Sequence, residues 1–153
     1  MLWVPPWLKV AELEESLAVA EIPGARAHDR IVLYHSFTTL EATSDEIPWC
    51  SSFVNFCIAT CGTSFGYTRS AAARSWLGYG ITLGYPAYGC VSVFKRGGIH
   101  EPGPEVRNAP GHVGFFLGFD ESGNVRLLAG NQDDRVSIKA FPAERVLGHR
   151  WAA

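Results

Sequence analysis

Apolar residues recur at helical spacing over residues 7–19, where Trp7, Leu8, Val10, Ala11, Leu13 and Leu17 alternate with Glu12, Glu14 and Glu15. This periodicity predicts an amphipathic helix entered through Pro5 and Pro6. Pro23-Gly24 breaks the chain, and Asp29 is placed to cap a short helix over 30–36. Over 50–60 the apolar residues run almost all round the helical wheel, as Phe53, Val54, Phe56, Cys57 and Ile58, which predicts a helix buried on every side. Ser70 is placed to cap a further helix over 71–79, ended by Gly80.

The period then shortens to two. Strands are predicted over 90–95, 113–119, 125–129 and 136–140, with 145–151 as a further edge strand. Residues 97–110 are rich in Gly and Pro and read as a loop, and 120–124 read as a hairpin turn. Helices first and strands second predict an α+β fold, with an antiparallel sheet packed on the 50–60 helix. The 153 residues suit one domain, 1–153, with one core.

Composition narrows the classes of function. Hydrophobic residues make up 47% and charged residues 18%, a globular balance. A net charge of −2 offers no electrostatic case for nucleic acid. No segment has the ~18–20 apolar residues that a membrane span needs. The N-terminal run lacks the basic and apolar regions of a signal peptide, so synthesis in the cytoplasm without an export signal is expected. The cysteines Cys57, Cys61 and Cys90 read as small buried apolar residues, and no Cys/His spacing suits zinc. Neither a metal nor another cofactor is expected.

Cys50 stands apart, because it falls where the buried helix begins. Unpaired N–H groups and the positive dipole end favour a thiolate there. Far downstream, His112 opens a buried strand in Gly111-His112-Val113-Gly114, and Asn131 follows the next strand in Gly130-Asn131-Gln132. If the three converge they can form a Cys–His–Asn site: a thiol, a base to take its proton, and an amide to hold the base. Asn131 is equally suited to a turn. The remaining histidines, His28, His35, His100 and His149, read as surface or packing residues. Trp49, beside the nucleophile, suits either a groove wall or the core. Ser51 suits the helix start and the oxyanion site, and Gly111 suits close approach of a substrate backbone. Asp45 and Glu46 read as a solvated turn, with a place at the mouth of a cleft as the other reading. The 97–110 loop, which delivers His112, is expected to border that cleft.

The motifs Pro48-Trp49-Cys50-Ser51-Ser52-Phe53, Gly111-His112-Val113-Gly114 and Gly130-Asn131-Gln132 occur in an order that resembles the NlpC/P60–CHAP superfamily of cysteine peptidoglycan hydrolases, in particular its small phage-endolysin-like branch. The resemblance extends from about Trp7 to Trp151. It implies a papain-like fold, Cys50 as nucleophile, His112 as base, and metal-free cleavage of amide bonds in peptidoglycan. The bond is one within the stem peptide or the one between N-acetylmuramic acid and L-alanine. Where some members carry a Glu as third catalytic group this chain has Ala129, so the orienting role falls to Asn131, with Gln132 in reserve. The alternatives are a thiol acyltransferase or deamidase acting outside the cell wall, and a non-catalytic binding module of the same fold. A wall hydrolase without an export signal would reach its substrate through a holin, as an endolysin does, or through specialised secretion, as an antibacterial effector paired with an immunity protein does.

Overall fold

A computed structural model describes every residue except Met1, Ala25, Arg26, Thr43 and Glu46. Helix α1 spans Pro6–Ser16 and puts Trp7, Leu8 and Ala11 into the core. Its buried Glu14 is neutralised locally: Arg30 forms an ion pair with it, and the Tyr34 hydroxyl donates to it at 2.5 Å. Helix α2 spans Asp29–His35. Its cap is His28 rather than Asp29. Asp29 already has a helical backbone, whereas His28 is extended and its Nδ1 accepts from the Arg30 N–H at 3.1 Å. Helix α3 spans Cys50–Thr60, and every residue from Cys50 to Ile58 is buried.

The 71–79 segment departs from expectation by forming a 3-10 helix, Ala73–Gly78, which Ser70 does not cap. The burial pattern explains the tighter helix. Ala73 and Trp76 are buried, as are Arg74 and Leu77, and three-residue spacing aligns each pair on a row.

Among the described residues six strands form one antiparallel sheet: β1 (Ile81–Leu83), β2 (Val91–Lys95), β3 (Gly111–Phe119), β4 (Val125–Gln132), β5 (Arg135–Phe141) and β6 (Val146–Trp151). Their order is β1-β6-β2-β3-β4-β5. The short β1, paired with β6, carries too little periodicity to be read from its three residues. One sheet face, with Val91, Val93, Val113, Phe115 and Leu128, joins the core built on α1 and α3. The other face gathers Cys90, Phe94, Phe116, Val125, Leu127 and Ala129 into a smaller cluster. The chain after α1 covers the edge strand β5: Glu21 N donates to Asp134 O at 2.8 Å, and Val136 N to Val19 O at 2.9 Å. Among the described residues no helix is long and apolar enough to cross a membrane.

Candidate active site

Burial of the helix that carries it brings Cys50 to the sheet. Helix α3 packs across β3 and β4, so its first residue meets the start of β3. Four influences set the ionisation of Cys50. Burial pushes the thiol up. The hydrogen bonding and charge of His112, the backbone N–H of Val113 and the positive charge of Arg96 outweigh burial, and the thiol lies below its ordinary range. The other buried cysteines go the opposite way: burial raises both Cys57 and Cys90. All four cysteines are free.

Position 112 lies within β3, paired with Phe94 on β2. Its ring packs against Phe141, with centroids 5.4 Å apart, and its Nε2 lies 3.0 Å from Oε1 of Gln132. Gln132 is 3% exposed, and its amide orientation is determined by two further bonds. Its Nε2 donates to the carbonyls of Ser137 (2.7 Å) and Leu127 (3.2 Å). The oxygen must therefore face His112, and His112 must donate through Nε2–H. Nδ1 is left with its lone pair, available to the thiol. The resulting chain runs from Cys50 through His112 to Gln132.

Asn131 does not take the third place. Pairing between β4 and β5 slips by one residue between Ala129 and Gln132. Asn131 occupies this bulge in a left-handed conformation, φ 57°. The extra residue reverses the side-chain alternation, which turns Asn131 to the cleft rim and Gln132 inward to His112. Asp133 (φ 52°) and Asp134 (φ 60°) then form the two-residue hairpin turn, whose geometry requires two left-handed residues in succession.

Of the two readings of Trp49 the core is the one found, and three further expectations are corrected. Trp49 is fully buried against Tyr34, and its Nε1 donates to Glu21 at 2.8 Å, so it walls no groove. Ser51 is fully buried too. Its hydroxyl donates to Ser70 O at 2.7 Å and accepts from Trp76 Nε1 at 2.9 Å, and is committed to the scaffold. A Cβ on Gly111 would lie 3.0 Å from Arg74 Cγ and 3.1 Å from the Phe94 carbonyl, so this glycine serves internal packing rather than substrate approach. Asp45 is neither solvated nor at a cleft mouth. It is buried and accepts from the N–H groups of Ile22 and His28, both at 2.9 Å. Glu46 lies outside the described residues.

A cleft of about 340 Å³ opens over the site, lined by Pro48, Arg96, His112, Asn131, Gln132 and Arg145 among others. Cys50 is 2% exposed, so His112 is the member of the pair that the cleft reaches first. Lys139 and the turn residues Asp133 and Asp134 complete the rim. The 97–110 loop does not line this cleft. Buried Arg74 ties it down instead, donating to the carbonyls of Gly103 (2.8 Å), Val106 (3.0 Å) and Pro110 (2.9 Å). Arg74 thereby holds the segment that leads into His112. Among the described residues no three His, Cys, Asp or Glu side chains gather as metal ligands. No family model, curated protein or solved structure matches the chain.

Proposed function

We propose that the chain is a cysteine hydrolase of amide bonds, with peptidoglycan as its substrate and a papain-like arrangement of helix and sheet. The observation that carries this reading is the sequence of contacts from an acidified thiol at a helix start, through His112, to the doubly anchored amide of Gln132. The ordered motifs around Cys50, His112 and Gly130-Asn131-Gln132, with their NlpC/P60–CHAP resemblance, support the choice of substrate.

In this reading His112 Nδ1 takes the Cys50 proton and the sulfur attacks the amide carbonyl. The N–H groups of the first turn of α3, which the helix itself leaves unused, face the charge that develops on oxygen. As the C–N bond breaks, the same proton passes from His112 to the leaving amine. Water then attacks the thioester, giving its proton to His112, and a carboxylate departs as the thiol is restored. Gln132 holds the imidazole in the required tautomer throughout. The preferred bond lies within the stem peptide, and the muramoyl–L-alanine bond is the other candidate. The role would be that of an endolysin or of an antibacterial effector.

The test is digestion of purified sacculi, with the products identified by mass. The wild-type protein should release fragments bearing a new amine and a new carboxylate, and Cys50→Ala should release none. Sacculi left intact by the wild type, or cleaved equally by Cys50→Ala, would refute the reading.

A further inference from the structure

We infer that Arg96 forms an anion subsite beside His112, in the cleft over the thiol, and that the acyl donor this chain accepts carries a carboxylate close to the carbonyl under attack. The inference deepens the hydrolase reading and rests on it. Among the described residues three cations, Arg96, Lys139 and Arg145, line the cleft, and two are already committed. Lys139 pairs with Asp133 at 3.0 Å. Arg145 donates to the Lys95 carbonyl from Nε at 3.1 Å and from Nη2 at 2.9 Å, also bonds the Arg96 carbonyl, and stacks over Phe141 at 5.1 Å. Arg145 is thus a buttress for the backbone that carries Arg96.

Arg96 differs. Its Nε donates to the Gly111 carbonyl at 3.3 Å, which ties the side chain to the residue preceding the base. Its two terminal nitrogens make no hydrogen bond or ion pair with the described residues. The residue is exposed and lines the same cleft as His112, next to whose backbone its Nε is held. An arginine anchored through Nε leaves its terminal N–H groups for an incoming group, and a carboxylate matches their geometry and charge. The nearby Asp134 is exposed on the hairpin turn and repels an anion placed on its own side, so recognition is confined to the Arg96 wall.

The experiment compares two small alkylators of the folded protein, iodoacetate and neutral iodoacetamide. In both cases the thiolate displaces iodide and forms one C–S bond. Modification of Cys50 is followed by mass on the peptide that contains it. Cys50 in the wild type should react with iodoacetate at least as fast as with iodoacetamide, and the preference should weaken as salt rises. Arg96→Gln should lower the iodoacetate-to-iodoacetamide rate ratio by about tenfold, the scale of one charge-assisted contact, and Arg96→Lys should restore part of it. The iodoacetamide rate serves as the control for fold and thiolate content. An unchanged ratio in Arg96→Gln would overturn the subsite, since Arg96 would then act only on thiol ionisation. A Cys50 closed to both reagents would overturn it as well. Loss of wall digestion with the anion preference intact would refute the hydrolase reading and leave the subsite standing.

Discussion

The behaviour of Cys50 is a balance between burial and three lowering influences, and its pH dependence follows from which of them is removed. In the wild type the thiol ionises below its ordinary value of 9.0. Reaction with iodoacetamide should therefore rise with pH through a midpoint below 9.0 and level off above it. His112→Ala removes the largest lowering influence and leaves burial, so the midpoint should move up. A midpoint unchanged in that variant would show that His112 does not act on the thiol. Cys57 and Cys90, both raised by burial, should stay unmodified over the same range. The third group can be tested by a paired substitution. Gln132→Ala frees the ring and removes a donor from the Leu127 and Ser137 carbonyls. Wall digestion should fall by roughly tenfold to a hundredfold, and stability by about 1–3 kcal/mol. Asn131→Ala, at the rim, should change turnover by less than about twofold. The reverse ranking would return the orienting role to Asn131.

Among elements, the 3-10 helix Ala73–Gly78 and the 97–110 loop act as a unit through Arg74. Its guanidinium holds three loop carbonyls, and charged hydrogen bonds are worth ~1.5–3 kcal/mol each before the cost of ordering is subtracted. Arg74→Ala should cost about 3 kcal/mol, or roughly 6–12 °C in thermal midpoint for a chain of this size. It should also open the loop to limited proteolysis. A thermal midpoint within ~2 °C of wild type would show that the tether contributes little. Helix α3 has a comparable fit. A Cβ on Gly130 would lie 2.6 Å from the Trp49 ring and 2.9 Å from Phe53 Cβ, so β4 approaches α3 closely there only because residue 130 lacks a side chain. Gly130→Ala should displace Trp49, the neighbour of Cys50, and destabilise the protein by about 1–3 kcal/mol. Equilibrium denaturation would measure this directly.

Across the whole molecule, stability comes from two apolar clusters on the two sheet faces rather than from cross-links. With all four cysteines free, a reducing agent should leave the thermal midpoint unchanged, and a fall on reduction would reveal a disulfide. The α+β order was legible in the chain because each element writes its own period. Helix α3 begins and ends where its apolar run does, at Cys50 and Thr60. Strands β2 to β6 lie within a few residues of their alternating segments. The short β1 and the 3-10 geometry at 73–78 were not legible, since each depends on a partner distant in sequence: β6 for the first, the loop and the underside of the sheet for the second.

The same division runs through the site. Sequence alone determined the candidate pair, because a thiol at a helix start and a histidine at a strand start are local features. The tertiary structure decided their company. One extra residue in the β4 bulge reverses side-chain alternation, so Gln132 and not Asn131 reaches the ring. Whether Trp49, Ser51 and Asp45 meet solvent or core depends on what packs over them, from Tyr34, Trp76 and the backbone at Ile22 and His28. Arg96 looks like any surface cation in the chain. Only the folded arrangement shows its Nε held by Gly111 and the residue lining the same cleft as His112. Periodicity encodes which face of an element is buried, but contacts between elements far apart in sequence are set by register and packing, which no local pattern carries.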